Sequence, residues 1–271
     1  MKKGKPLKPS ITIEAWYYHE LRVMVLAMQK AMIRAVEKPH EQIAMDKIDG
    51  LASVEARAQE LRDKFAKTFS RLGAITAARF LDKQIEFASR SFVRSVRGMV
   101  EGSEPSLMLS GSIVNPANVA FTEESIAANV SLIKSIGSQY FDRIEKELMK
   151  SLQTGGSQPD LIKAIRKTGG VTERRAKFIA RDQNSKIYSQ LATNQMERAG
   201  ITKVMWKHSG AGRNPRSYHK RRWDGKSEPP NGLNGYVYQI GNPPVADLKT
   251  GERAAPGELI NCRCYATPVL F

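Results

Sequence analysis

The chain has 271 residues, of which 41% are hydrophobic and 26% charged, and its formal net charge at pH 7 is +16. These values are typical of a globular protein with a buried core, and they exclude a wholly disordered chain. Because no apolar run approaches the roughly 20 residues of a membrane span and the basic N-terminus lacks the apolar core of a signal peptide, we expect a protein of the reducing cytoplasm with no membrane partner.

The positive charge is unevenly distributed along the sequence. Residues 1–152 hold 23 Lys and Arg against 18 Asp and Glu, whereas residues 153–271 hold 20 against 9. Such an excess of basic residues favours a polyanionic partner, and nucleic acid is the commonest one.

Residues 1–10 predict a basic, flexible arm. Its four lysines are Lys2, Lys3, Lys5 and Lys8. They repel one another, and the glycine and prolines between them oppose a helix. We therefore expect the arm to become ordered only against a protein or DNA partner.

Residues 11–152 predict a helical domain, because apolar side chains recur at intervals of three, four and seven residues. One such stripe consists of the methionines Met24, Met28 and Met32, and we interpret it as core rather than as a docking surface. Gly73 marks a candidate break in the second helix. Residues 98–118 are rich in Gly, Ser and Pro, and they predict a loop.

Residues 153–271 predict a C-terminal α+β domain. The stretch "DLIKAIRKTGG" predicts a short helix closed by two glycines, and a long basic helix follows, capped by Thr172 and ended by Gly200. This spacing is compatible with a helix-turn-helix, but any helical hairpin shows it, so it does not by itself predict sequence-specific DNA readout. Alternating side chains then predict strands around Trp206, in "YVYQI" and in "ELINCRCYATPVLF", with about 50 residues of long loops between the first and the last.

The only two cysteines, Cys262 and Cys264, are one residue apart near the end of the sequence. Together with His208 and His219 they could form a zinc site. A Cys-x-Cys pair on a strand is a weaker metal signal than the wider spacing of zinc knuckles, and two small buried side chains explain it at least as well. We favour the packing role, in which both thiols hold the last strand against the long loop with His219 nearby. A disulfide between them is not expected in a reducing compartment.

No motif of a nucleotide-binding enzyme or of a hydrolase is recognisable, since Walker A and Gly-x-Ser-x-Gly patterns are absent from the sequence. We therefore expect a protein that is not an enzyme and that carries no cofactor, with zinc as the alternative.

An ordered set of residue types follows the long basic helix: a Trp, an Arg-x-x-His, a Gly and a closing Asn-Cys-Arg-Cys. In this sequence they are Trp206, Arg216, His219, Gly225, Asn261, Cys262, Arg263 and Cys264. This combination resembles the head morphogenesis domain of tailed bacteriophages, found in minor head proteins of the phage Mu F and SPP1 types. The sequence departs from the family pattern at Asn214, where an Asp is common. The acidic residue that the family usually has in the long helix is represented here only by Asp182 or Gln183.

The resemblance implies a minor head protein that associates with the portal protein, and with the major capsid protein as a second candidate, during assembly in the host cytoplasm. It also implies a final location in the virion head, near packaged DNA. The charge distribution fits this independently, because basic residues reduce repulsion between phosphates without reading sequence.

The residues that we expect nearest to double-stranded DNA are Lys2, Lys3, Lys5, Lys8, Arg174, Arg175, Arg221 and Arg222. The nearly neutral helical part is then expected to contact protein. The alternative hypothesis is a cytoplasmic protein that binds nucleic acid without sequence preference and has a zinc-bound C-terminal domain.

Overall fold

A computed structural model describes residues 2–37, 47–97, 99, 119–154, 157–210 and 215–270. The structure is mainly helical (66%), with a small antiparallel sheet of short strands in the C-terminal region. The predicted fold class, a mainly α-helical N-terminal part with a C-terminal α+β domain, is confirmed. The loop predicted at 98–118 lies outside the described residues, except for Met99.

The described helices are α1 (Ile11–Glu37), α2 (Lys47–Val96), α3 (Val119–Thr154), α4 (Gln158–Arg198) and the short α5 (Ser217–Lys220). The described strands are β1 (Lys2–Lys3), β2 (Lys203–Lys207), β3 (Val237–Gln239) and β4 (Tyr265–Leu270). Among these helices, none combines the length and the apolar character that crossing a bilayer requires.

Helix α2 runs without interruption through Gly73, so the break predicted there is absent. A Cβ atom at this position would lie 3.2 Å from Cγ2 of Ile133 on α3. The glycine therefore permits a close approach of the two helices, and its role is packing rather than termination.

Helix α4 is also continuous, so the prediction of a short helix, a glycine turn and a second helix is wrong. At Gly169 a Cβ atom would come within 2.3 Å of Nε2 of Gln29, and the glycine admits that side chain of α1. Thr172 is not an N-cap, because its hydroxyl donates to the carbonyl of Thr168 inside the helix, at 2.9 Å. The absence of a turn removes the helix-turn-helix interpretation of this segment.

One compact unit, the helical unit, consists of Ala15–Arg79 and Ile126–Ala180. Its core contains the predicted methionine stripe, with Met24, Met28 and Met32 all buried. Inside this core the hydroxyl of Tyr17 donates to Oδ1 of Asn129 at 2.9 Å, which satisfies two buried polar groups at once.

The second compact unit, the sheet unit, consists of Met1–Glu14, Phe80–Ser125 and Arg181–Phe271. Its sheet has the order β1-β4-β2-β3, and every neighbouring pair of strands is antiparallel. The central pair aligns Trp206 on β2 with Ala266 on β4, and both residues are buried.

The two units divide the chain differently from the predicted boundary at residue 152, because the long helices contribute residues to both. Counted by unit, Lys and Arg outnumber Asp and Glu by 22 to 14 in the sheet unit and by 21 to 13 in the helical unit. Each unit thus has a net charge of +8, and the charge asymmetry along the sequence does not become an asymmetry between units.

The N-terminal arm is paired in the structure, which corrects the prediction of a free segment. Lys2 and Lys3 form β1 against Leu270 and Val269 of β4. Leu7 is 2% exposed, and its backbone N–H donates to the carbonyl of Ala266 at 2.9 Å. Burial of this leucine and pairing with an open strand edge offset the repulsion between lysines that remain exposed.

Candidate functional site

Three buried side chains converge in the sheet unit: His219, Cys262 and Cys264. The Nδ1 atom of His219 lies 3.6 Å from Sγ of Cys262 and 3.7 Å from Sγ of Cys264. All three residues are 2–4% exposed, and both thiols are free. The sequence prediction that His219 lies near the two cysteines is therefore consistent with the structure.

The imidazole of His219 is held by contacts on two sides. Its Nε2 lies 2.8 Å from the carbonyl oxygen of Ala246, and its ring packs edge-on against Trp206 with 5.0 Å between ring centroids. Because a carbonyl only accepts, Nε2 must carry the proton. In the tautomer with a single proton, on Nε2, the lone pair is on Nδ1, the ring nitrogen that faces the two sulfur atoms.

The cysteines reach this position from a turn and not from a strand, which corrects the sequence prediction. Strand β4 begins at Tyr265, after both cysteines. The preceding residue, Asn261, has a φ of 57°, in the left-handed region that asparagine tolerates better than most residues, and Cys262 N–H donates to Leu259 at 2.8 Å. The turn ends at Asn261, and both cysteines lie in the short segment between this turn and β4.

Helix α4 holds this turn through side chains on one face. The backbone N–H of Asn261 donates to Oδ1 of Asp182 at 2.6 Å, and the hydroxyl of Ser189 donates to the carbonyl of Pro256 at 2.7 Å. Between them, a Cβ atom on Gly257 would lie 3.2 Å from the carbonyl oxygen of Ser185. The segment before the cysteines thus rests directly on the helix backbone.

Arg216 approaches the same turn from the opposite direction. Its guanidinium donates from Nη1 and Nη2 to the carbonyl of Ile260, at 3.3 and 3.4 Å. Arg216 immediately precedes α5, and His219 lies inside it. The spacing of the Arg-x-x-His pattern therefore lets both side chains contact the segment that carries the cysteines. The resemblance grouped these residues by order along the sequence, and the structure gives the reason for the grouping.

The two thiols have opposite electrostatic tendencies. A hydrogen bond from the Cys264 thiol lowers the pKa of Cys262, and the same hydrogen bond together with burial raises the pKa of Cys264. The pair therefore favours one thiolate, on Cys262, with the remaining proton on Cys264.

His208 does not join this cluster. Among the described residues, the group whose ligand atoms all lie within 4.8 Å of one another contains His219 and the two cysteines alone. The Nδ1 atom of His208 instead accepts from the backbone N–H of Gly210 at 3.0 Å, and partial burial lowers its pKa. The structure thus brings together three of the four predicted ligands.

The other motif residues have separate structural roles. Trp206 is fully buried on β2. Gly225 has a φ of 84° in a turn where Asp224 accepts from the backbone N–H groups of two following residues. Arg263, between the cysteines, is half-buried.

The basic residues predicted to lie near DNA divide between the two units. Those of the sheet unit, all exposed, are Lys2, Lys3, Lys5, Lys8, Arg221 and Arg222, and those of the helical unit are Arg174 and Arg175. Several have contacts of their own: Lys8 lies over the ring of Tyr265 at 5.1 Å, Arg175 donates to Ser135, and Arg221 donates to the carbonyl of Asn231 at 3.4 Å. The sheet unit alone therefore does not contain the whole set of residues predicted to lie near DNA.

Sequence reasoning missed the residues that hold the cluster. In the sequence, Asp182 is only an acidic residue of the long helix. Nothing in the sequence marks Ala246, because it contributes its backbone carbonyl and not a side chain. Asp182 is 6% exposed and forms an ion pair with Lys186 at 3.0 Å. A buried carboxylate in a helix was the available clue, because buried charges need specific partners.

Comparisons with known proteins place this geometry in context. Residues 142–267 match the family model described as Phage Mu protein F like protein. An uncharacterised protein of Haemophilus influenzae is 30% identical over 273 residues, which cover 99% of this chain and 56% of the relative. The chain thus spans little more than half the length of that relative. No solved structure matches the chain. The resemblance to phage head morphogenesis proteins, drawn from the motif residues, is confirmed.

Proposed function

We propose, from the premise that residues 142–267 belong to the Phage Mu protein F-like family, that this head morphogenesis protein is a minor component of the virion head. In this role it associates with the portal protein during assembly in the host cytoplasm, with the major capsid protein as a second contact. It remains in the head, close to packaged double-stranded DNA. Its role is structural, and it catalyses no reaction.

The observation that carries this proposal is the family match, which covers all eight motif residues between Trp206 and Cys264. The geometry supports it, since four of those residues act together on one turn. Arg216, His219 and the cysteines fasten the last turn of the chain to a short helix, as a scaffold requires. A catalytic role would instead need an accessible reacting group, and these thiols and this imidazole are buried.

Proximity to DNA is supported by charge. Both units have a net charge of +8, so the proposal extends DNA contact to the helical unit rather than restricting it to the C-terminal part. Lysines and arginines on both units would neutralise phosphates without reading bases. No element of the described chain has the turn of a helix-turn-helix between basic helices, which agrees with binding that lacks sequence preference.

The decisive experiment mixes the purified chain with a phage portal protein and follows the mixture by size-exclusion chromatography. We expect co-elution that persists at 0.5 M salt, on the order of the ionic strength that weakens purely electrostatic contacts. An unrelated basic protein of similar net charge serves as the control and should elute alone. Separate elution of chain and portal at every salt concentration contradicts the proposal and favours the alternative, a cytoplasmic nucleic-acid-binding protein.

A further inference from the structure

We propose that His219, Cys262 and Cys264 bind one Zn²⁺ ion, and that the ion holds the final turn of the sheet unit in place. This inference does not depend on the proposed function, because it follows from the geometry of the three side chains. It replaces the packing role that the sequence alone favoured for the two cysteines.

The distances fit a metal site closely. With a Zn–S distance of about 2.3 Å and a Zn–N distance of about 2.0–2.1 Å, a regular tetrahedron separates nitrogen from sulfur by about 3.6 Å. The observed Nδ1–Sγ separations are 3.6 Å for Cys262 and 3.7 Å for Cys264. Both nitrogen–sulfur separations therefore match the tetrahedron, and the two sulfur atoms lie within 4.8 Å of each other, close enough to share one ion.

The orientation of His219 is that of a metal ligand. Histidines that bind metals commonly donate their second ring N–H to a carboxylate or a backbone carbonyl, which fixes the tautomer and the ring plane. Here Nε2 donates to the carbonyl of Ala246 at 2.8 Å, and Trp206 covers the ring edge-on. The remaining nitrogen, Nδ1, is the one that faces both sulfur atoms.

The chemistry of the ligand set selects the metal. Two thiolates and one imidazole are soft and borderline ligands, which favour zinc over magnesium or calcium. Binding requires both cysteines to be thiolates, so Zn²⁺ displaces the proton that the pair retains on Cys264, and that proton passes to solvent. No fourth His, Cys, Asp or Glu of the described residues lies close enough to join, so a water molecule completes the tetrahedron.

The ion would link parts of the chain that regular hydrogen bonding does not join. His219 lies on α5, whereas the cysteines lie 43 and 45 residues later in the segment that enters β4. Many of the residues between them are in turns and loops. A metal at this point closes that long loop, as structural zinc does in small domains.

The test uses the full chain, purified without chelators, and measures its metal content by elemental analysis. We expect one zinc ion per chain in the parent protein and in the matched control His208→Ala, because His208 lies outside the cluster. Loss of zinc in His208→Ala would overturn the three-ligand assignment.

A second measurement starts from the parent protein. Replacing zinc by Co²⁺ in the parent protein should produce a thiolate-to-cobalt charge-transfer absorption together with the visible bands of a tetrahedral site. In Cys264→His, which keeps a ligand at that position, the charge-transfer absorption should weaken while cobalt remains bound. A folded parent chain that holds no zinc and shows no charge-transfer band with Co²⁺ would overturn the proposal and restore simple packing.

Discussion

The backbone N–H of Asn261 donates to Oδ1 of Asp182 at 2.6 Å, although the two residues are 79 positions apart in the sequence. This single contact fixes the left-handed residue that precedes Cys262 to the middle of α4. The direction of both thiols depends on that turn, so the helix sets the geometry of the cluster without contributing a ligand.

We expect Asp182→Ala to lower the free energy of unfolding by about 1–3 kcal/mol, because it leaves a backbone N–H without its acceptor. Lys186→Ala is the matched control, since it removes only the partly exposed partner of the same carboxylate and should cost less than about 1 kcal/mol. Chemical denaturation of the two variants measures both values. Equal losses of stability in the two variants would mean that Asp182 acts through its ion pair with Lys186 and not through its hydrogen bond to the turn.

The N-terminal arm should contribute to the stability of the isolated protein. Leu7→Ala truncates a side chain that is 2% exposed, so we expect a loss of about 2–4 kcal/mol. The neighbouring exposed Lys5→Ala should change stability by less than about 0.5 kcal/mol. Thermal melts compare the variants, and amide hydrogen exchange should show protection at Gly4 and Leu7. Rapid exchange at both amides would restore the prediction of a flexible arm.

The continuity of α4 can be tested at its adjacent glycines. A Cβ atom on Gly170 meets nothing within 4 Å, so Gly170→Ala should stabilise the protein by about 0.5–1 kcal/mol through helix propensity. Gly169→Ala should stabilise it less than Gly170→Ala does, since the new methyl group displaces Gln29 from its hydrogen bond to the carbonyl of Arg166, and that loss offsets the gain in helix propensity. If the segment contained a turn with left-handed glycines, both alanines would destabilise, and melting temperatures would show it.

DNA binding should be electrostatic. The observed affinity for double-stranded DNA should fall linearly on a logarithmic salt scale, with equal slopes for unrelated sequences. Replacing the four arm lysines, Lys2, Lys3, Lys5 and Lys8, by glutamine should reduce the slope by up to about 4, whereas arginine at the same positions should preserve it. Fluorescence anisotropy titrations give the slopes. A sequence that outcompetes bulk DNA at physiological salt is the contrary result.

Glu173 should give the helical unit a pH-dependent contribution. Its carboxylate accepts from the hydroxyl of Tyr18 at 2.7 Å and from Arg22, and these hydrogen bonds lower its pKa. A lowered folded-state pKa means that the stabilisation is complete above the unfolded-state pKa and is lost as the pH falls through the folded-state value. Glu173→Gln should therefore cost less than about 1 kcal/mol at pH 7, because the group is partly exposed, and nothing in strongly acidic solution.

Denaturation midpoints across the acidic range measure this difference. Glu60→Gln on α2, an exposed position, is the control and should leave the pH profile unchanged. A constant difference between Glu173→Gln and the parent at all pH values would assign the effect to shape rather than to charge.

Local periodicity was sufficient to predict much of the fold. The methionine stripe of α1 is a pattern of neighbouring residues, and it predicted the observed burial. The alternation around Trp206 predicted the strand and the burial of Val204 and Trp206, but not that of Met205, which is buried on the other face. Gly73 and Gly169 were misinterpreted because glycine serves two purposes. It can end a helix or admit a neighbouring side chain, and only the position of a distant residue, Ile133 or Gln29, decides between them.

The candidate site shows the same division. The proximity of His219 to the cysteines was predictable, since these residue types are rare in the sequence and occur in one segment. The turn at Asn261 was not, because it depends on an acceptor in α4, and strand alternation gave a simpler account of Cys-x-Cys. The prediction of a flexible arm was wrong for a similar reason. The repulsion between lysines is a local property, whereas the partner of Leu7 lies near the other end of the sequence.

The pairing of β1 with β4 has a consequence for biosynthesis. Lys2 and Lys3 are synthesised more than 260 positions before their partners Val269 and Leu270. At elongation rates of about 5–20 residues per second, this edge waits on the order of 10–50 seconds for its partner. The helical unit lacks such a requirement and can fold during translation. Until β4 is synthesised, the helical unit can be folded while the sheet is still incomplete. During that interval a chaperone or an assembly partner has access to the edge of β2 that later pairs with β4.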